Sequence, residues 1–228
     1  MLASSAERIL SRLSDSDLVL DVGGWGRPFA RADWVLDLMP YSTRGTYGEA
    51  DSDRERFTAD TWIERDICDR EPWPFADDRF DFAICSHTLE DVRDPVWACS
   101  ELNRVARAGY IEVPSRLEEQ AWGVAGSWVG WSHHHWLVDV GDAGVTFVFK
   151  PHVIHARPAY YLPEPCGAVL TDDERVETLF WEGSFDYCER LFFDHDDFEA
   201  YLTEPVDAHR DDLLARAPRR RRLLRSPD

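Results

Sequence analysis

The residues able to do chemistry lie at the ends of short apolar runs. "LVLDVGG" delivers Asp21, Gly23 and Gly24, with Trp25 directly behind them. "DWVLDL" ends in Asp37 and Leu38, "WIERDI" in Asp66 and Ile67, "RFDFAICS" in Ser86 ahead of His87, and "GYIEVP" carries Glu112. Four of these five runs deliver an acid, and no packing requirement calls for one. Histidines are the candidates for proton transfer, because imidazole titrates near neutrality. They are His87 and the run His133, His134 and His135 in "WVGWSHHHWLVD".

Elements are needed to bring these residues together. Short apolar strands separated by loops or helices indicate a parallel α/β sheet, whose ligands sit outside the carboxyl ends of the strands. Ser5 to Leu13 reads as an amphipathic helix with Ile9, Leu10 and Leu13 on one face. Pro95 to Ala106 reads as a second helix, with proline near its start. Later, "VTFVFKPHVIHA" and "VETLFWEGSFDYCERLFF" read as antiparallel strands, the latter a hairpin turning near Glu182-Gly183-Ser184. "DHDDFEAYL" reads as a closing helix over Asp194 to Leu202.

Composition bounds the function. At 228 residues with 44% hydrophobic, one substantial core is the default, so residues 1–228 are expected to form a single domain. Within it, about 15–115 would hold the cofactor, about 116–205 would elaborate the substrate side, and 206–228 would be an arginine-rich tail. The formal charge of -19, with Lys150 the sole lysine among 25 basic residues, argues against a nucleic-acid partner. The exception is Arg216, Arg219 to Arg222 and Arg225, expected as a loosely docked tail rather than a phosphate site. No apolar run is long enough for a membrane helix. Five scattered cysteines without a C-x-x-C pair suit a reducing compartment, so a cytoplasmic protein is expected, with homodimerisation left open.

Over Leu18 to Pro114 the chain resembles the class I S-adenosylmethionine-dependent methyltransferases of the type 11 group. "VLDVGG" is similar to the family's first motif and "VLDL" to its second strand. "RDICDREPWPFADDRFDFAICSHTLEDV" is similar to its most specific segment. The resemblance implies a Rossmann-like sheet with helices on both faces and a C-terminal antiparallel addition. It also implies S-adenosyl-L-methionine as cofactor: Asp37 on the ribose hydroxyls, Asp66 and Ile67 flanking the adenine, and Asp21, Gly23, Gly24, Trp25, Leu38 and Ser86 completing the site. A small-molecule acceptor is expected, an oxygen nucleophile of a sugar or secondary metabolite, with His87, His133 and His134 as candidate catalytic residues. Glu90 and Asp91 read as helix N-terminal charges. Ser115, Arg116 and Glu119 are expected at the mouth of the site, with Arg116 either on a substrate anion or in an ordinary ion pair. His133 and His135 would share one side of an extended segment. Three adjacent histidines form no chelate by themselves, and no metal is assigned.

The chain departs from the family in the first loop. Trp25 and Arg27 stand where the acid-x-Gly-x-Gly-x-Gly pattern has glycines, and only Trp25 to Ala32, interrupted by Pro28, separates the first two strands. Three readings follow: a shortened but competent loop with Trp25 near the cofactor, a loop reshaped for another small molecule, or loss of cofactor binding. The alternative function is accordingly a non-catalytic binding or regulatory protein on the methyltransferase fold.

Overall fold

Strands β1 (Val19–Val22), β2 (Trp34–Asp37), β3 (Trp62–Glu64), β4 (Phe82–Ser86) and β5 (Ala108–Pro114) run parallel in one sheet. The computed structural model describes residues 1–48 and 53–218. In the sheet order β3-β2-β1-β4-β5, chain direction across the sheet reverses between β1 and β4. A crevice therefore opens at the carboxyl ends of those two strands.

Period-two alternation sends side chains to opposite faces. Val19, Val35, Phe82 and Ile84 join Ile9 of α1 (Ala3–Arg12) on one face. Leu20, Val22, Leu36, Ala83 and Cys85 meet Ala98, Cys99 and Leu102 of α2 (Pro95–Val105) on the other. Asp94 caps α2, its side chain accepting from Trp97 N at 3.0 Å, and Pro95 opens the helix. In α1 only part of the expected face is core: Ile9 is buried, whereas Leu10 is exposed.

The second half is wired differently from the expected hairpin. β6 (Trp136–Val140) and β7 (Gly144–Phe149) pair antiparallel. β8 (Val176–Glu182) then joins the main sheet antiparallel to β5, while β9 (Asp186–Glu189) pairs parallel with β7. The chain thus changes sheets across Gly183, whose φ of +75° favours glycine. Trp136, Val138 and Phe147 turn to the α2 side, and Leu137 and Val148 turn the other way into a second core with Tyr201 and Leu202. The short helices α3 (Arg116–Glu119), α4 (Glu164–Gly167) and α5 (Asp172–Arg175) follow β5 and precede β8.

The closing helix, α6 (His195–Arg216), is much longer than expected and runs through Pro205, so residue 206 is no boundary. Pro205 has no N–H to give the Tyr201 carbonyl four residues back. Arg116 supplies it: Nη2 donates to Tyr201 O at 3.0 Å, and Gln120 Nε2 donates to Leu202 O at 2.8 Å. Arg116 also donates to Asp139 Oδ1 at 3.0 Å and lies over the Tyr201 ring. It is therefore a buried strut of the fold, not a residue at the mouth of the site. Arg116→Met is expected to cost about 1–3 kcal/mol, as leaving the buried Tyr201 carbonyl and Gln120 amide oxygen without their donor does, read by urea unfolding. Arg216 pairs with Glu174, while the other tail arginines lie outside the described residues.

Candidate cofactor and acceptor site

A cavity of about 1020 Å³ opens where β1 and β4 diverge. Asp21, Asp37, Asp66 and Glu112 all line it, together with Gly23, Gly24, Trp25, Leu38, Ile67 and Ser86. From the second half, Trp131, His133 and His134 close its far wall with Glu118 and Arg175. This volume is at the top of the usual range for small-molecule sites and leaves room for two ligands.

No helix follows β1. Trp25 to Ala32 forms a loop held by hydrogen bonds. Asp21 Oδ2 accepts from Phe29 N at 2.7 Å, and Asp37 accepts from Trp25 N at 2.9 Å and Met39 N at 2.8 Å. Gly45 N donates to Trp25 O and Tyr47 N to Gly26 O, both at 2.8 Å. Arg27 Nη2 donates to Tyr47 O, also at 2.8 Å. The residues that broke the glycine pattern are thus those that tie the loop down.

The glycines make room for protein rather than for a ligand. A Cβ on Gly23, at φ +76°, would lie 2.1 Å from Thr88 Oγ1, and one on Gly24 would lie 2.3 Å from Asp21 Oδ2. Burial lifts the Asp21 carboxyl to about 7 against the Phe29 amide, and burial also raises Asp37. Asp66 Oδ1 accepts from Cys68 N at 2.8 Å, and Oδ2 is ion-paired with Arg93.

His87 does not suit the role of base. At φ 54° it takes a left-handed conformation unusual for a residue with a side chain, its N–H held by Glu112 O at 2.8 Å. The turn brings Nε2 to 3.0 Å from Glu112 Oε1 and Nδ1 to 3.6 Å from Glu90 Oε1. Burial alone would lower its pKa, but these carboxylates outweigh burial and raise it to about 9. At neutral pH His87 is an imidazolium without a free lone pair. Glu112 is held well below the carboxylate range: burial opposes this, but His87, Tyr110 and Leu2 N outweigh it. Because the folded pKa of His87 exceeds its unfolded value of 6.5, its stabilisation is complete below pH 6.5 and lost as pH rises through about 9. NMR titration of the His87 ring should place its midpoint near 9 and bring it back toward 6.5 in Glu112→Gln.

His134 is arranged differently. The triple histidine sits in a turn rather than a strand, so His133 and His134 face the cavity together and His135 is exposed away from it. Their rings meet at 4.5 Å, and the His134 ring stacks on Trp131. His134 Nδ1 lies 2.5 Å from Glu119 Oε1, and Lys150 Nζ donates to Glu119 Oε2 at 2.6 Å and to Trp131 O at 2.9 Å. Glu119 is 1% exposed, so it lies behind the wall, not at the mouth of the site. The His134 hydrogen bond and the Lys150 charge lower its pKa despite the opposing effect of burial. An ionised Glu119 accepts a hydrogen bond from Nδ1–H, which leaves the lone pair on Nε2. Ser115, expected at the mouth, instead caps α3 and donates to Glu174 O at 2.6 Å. Glu90, expected as a helix N-terminal charge, begins no helix and is buried in the wall. Among the described residues no group of three His, Cys, Asp or Glu is placed to hold a metal, and no helix is long and apolar enough to cross a membrane.

Residues 39–111, about a third of the chain, match the methyltransferase domain family model. Over that third the chain is similar to methyltransferase domains. The match starts two residues after Asp37, so the remodelled loop lies outside it. No protein of curated function matches the chain. Similar solved structures include a chain of the complex between the Haloferax volcanii Trm112 methyltransferase activator and a methyltransferase. It is 20% identical over 60% of this chain and 69% of its own, with a TM-score of 0.39. An S-adenosylmethionine-dependent methyltransferase from Mesorhizobium loti is 15% identical over 65% and 64%, with a TM-score of 0.37. One from Aquifex aeolicus is 17% identical over 49% and 64%, with a TM-score of 0.35.

Proposed function

We propose that this domain methylates a small-molecule acceptor, with an oxygen nucleophile of a sugar or secondary metabolite as the acceptor group. The observation carrying this reading is the convergence of Asp21, Asp37, Asp66 and Ser86 on one cavity whose far wall holds the His134–Glu119 pair. The residues present fit S-adenosylmethionine. Asp37 keeps lone pairs for ribose hydroxyls beyond its two amide contacts, and Leu38, 62% exposed beside it, offers an apolar surface to a base. Ile67 lies on the same wall. Trp25, tied by Nε1 to Thr43 Oγ1 at 2.9 Å, walls the cavity where the missing helix would start. When bound, the cofactor supplies an electrophilic methyl group on a sulfonium, and an acid-lined wall stabilises that charge.

The protein's own work is alignment and proton removal. His134 Nε2 has no hydrogen-bond partner among the described residues and can take the acceptor's proton, while Glu119 fixes the ring's tautomer and Lys150 fixes Glu119. His87, as a cation, orients Glu112 and does not accept that proton.

Because no helix follows β1, a non-catalytic binding or regulatory role is the competing reading. One experiment separates the two. Calorimetry should show S-adenosylhomocysteine binding, and a panel of hydroxylated small molecules should release it from S-adenosylmethionine. Binding without turnover on any acceptor would favour the regulatory reading. Absence of binding at about millimolar ligand (−4.1 kcal/mol) would rule out the methyltransferase reading.

A further inference from the structure

Glu90 is the one charged side chain among the described residues whose buried polar atoms have no hydrogen-bond partner. Its side chain is 1% exposed, and both Oε1 and Oε2 are unpartnered. The only other such buried atoms are the indole nitrogens of Trp97 and Trp181. Buried carboxylates elsewhere are all met. Glu101 takes Trp73 N at 2.6 Å and Arg104, Glu118 takes Arg175 at 2.6 Å, and Glu119 takes His134 and Lys150. Leaving a carboxylate desolvated without donors costs far more than a neutral side chain would.

The nearest cation does not satisfy it. His87 Nδ1 stands 3.6 Å from Oε1, beyond hydrogen-bond range, and its Nε2 is given to Glu112. Glu90 lines the cavity, as does Trp131. The lining holds eight acidic side chains against three guanidiniums, the His87 imidazolium and the Met1 ammonium, so acids outnumber cations around the cavity. A neutral or anionic ligand would leave both Glu90 oxygens without a hydrogen-bond donor, with only His87 offsetting their charge from 3.6 Å.

We propose that Glu90 is the anchor for a cationic nitrogen, a protonated amine or guanidine, carried by the molecule that fills the acceptor side of the cavity. The proposal rests on the methyltransferase reading for the word acceptor but not for the site itself. The acceptor would then present a hydroxyl to His134 and a basic nitrogen to Glu90. One other molecule could bring the same group, since the amino-acid end of the cofactor also carries an ammonium.

Glu90→Gln keeps the shape of the side chain and removes its charge, and calorimetry on the full chain can use four probes. Benzylamine and benzyl alcohol differ in the cation. S-adenosylhomocysteine and 5′-methylthioadenosine differ in the amino-acid group. The expected result is an at least about tenfold loss of benzylamine affinity in Glu90→Gln, with benzyl alcohol and both nucleosides unchanged. A loss for S-adenosylhomocysteine but not for 5′-methylthioadenosine would uphold the cation site and assign it to the cofactor's ammonium. Unchanged affinity for both ammonium probes would overturn the proposal and leave Glu90 merely hydrated. Failure of wild type to bind either nucleoside would sink the methyltransferase reading, with the benzylamine pair still deciding Glu90.

NMR of His87 in the wild-type protein gives a second measurement that needs no variant to fold. A cation arriving beside Glu90 cancels charge near Nδ1, so the His87 midpoint must fall on saturation with the bound probe. A midpoint that does not move would likewise overturn the proposal.

Discussion

Asp37→Ala is expected to lower affinity for S-adenosylhomocysteine by on the order of 30- to 4,000-fold, the equivalent of about 2–5 kcal/mol for losing one partner of a buried hydrogen-bonded group. Asp37 is 7% exposed and ends β2 on the cavity wall. Its oxygens already accept from Trp25 N and Met39 N, which fixes the carboxylate plane in the absence of ligand. In the proposed role, ribose hydroxyls would meet an acceptor that has little conformational freedom left to lose. Truncation removes that acceptor and also releases Trp25, so the loop is freed as the hydrogen bonds vanish. Asp37→Asn separates the two effects. It keeps an acceptor oxygen for one amide, so its unfolding temperature should stay close to wild type while affinity still falls. Equal affinity in wild type and Asp37→Ala would remove Asp37 from the ribose role and with it the proposed orientation of the cofactor.

The strand-end acids were legible because the signal is local. An apolar run with an acid at or near its carboxyl end marks both the strand and the edge it reaches, and Asp21, Asp37 and Glu112 meet in one cavity. What the pattern conceals is their second occupation. Asp21 holds Phe29 N and Glu112 takes the Tyr110 hydroxyl at 2.5 Å, so these acids close loops as well as line the wall. Packing does use them.

Long-range pairings left no local trace. β8 and β9 share one alternating pattern with a tight turn between them, which reads as a hairpin. The choice of β5 and β7 as their partners depends on edges built more than about 40 residues earlier. Glu119 and Lys150 are 31 residues apart, and Glu90 is identified only by burial without a donor, a property no window of sequence carries. A signal for the His134 pair existed: a lone lysine in a chain of arginines, in an apolar strand-like run, invites the question of what it is buried against.

His134→Ala is expected to lower kcat for the screened acceptor by about 10²- to 10⁴-fold, the usual range for a lost general base, with S-adenosylhomocysteine affinity unchanged. The variant keeps the Glu119–Lys150 ion pair and so should fold. Glu119→Gln tests the positioning role. An amide can offer its N–H to Nδ1, which moves the ring proton to Nε2 and abolishes the base without removing the imidazole. The ¹⁵N chemical shifts of His134 report that exchange of tautomers directly, and a merely structural Glu119 would not produce it. Glu119→Gln also leaves Lys150, 7% exposed, as a buried cation without its counter-ion, so stability should fall by about 3–5 kcal/mol. The two losses separate in the measurement. The stability loss appears in urea unfolding, while the tautomer shift and the fall in kcat at unchanged KM appear in the remaining folded protein. If kcat in Glu119→Gln matches wild type while the tautomer has changed, His134 Nε2 is not where the acceptor's proton goes.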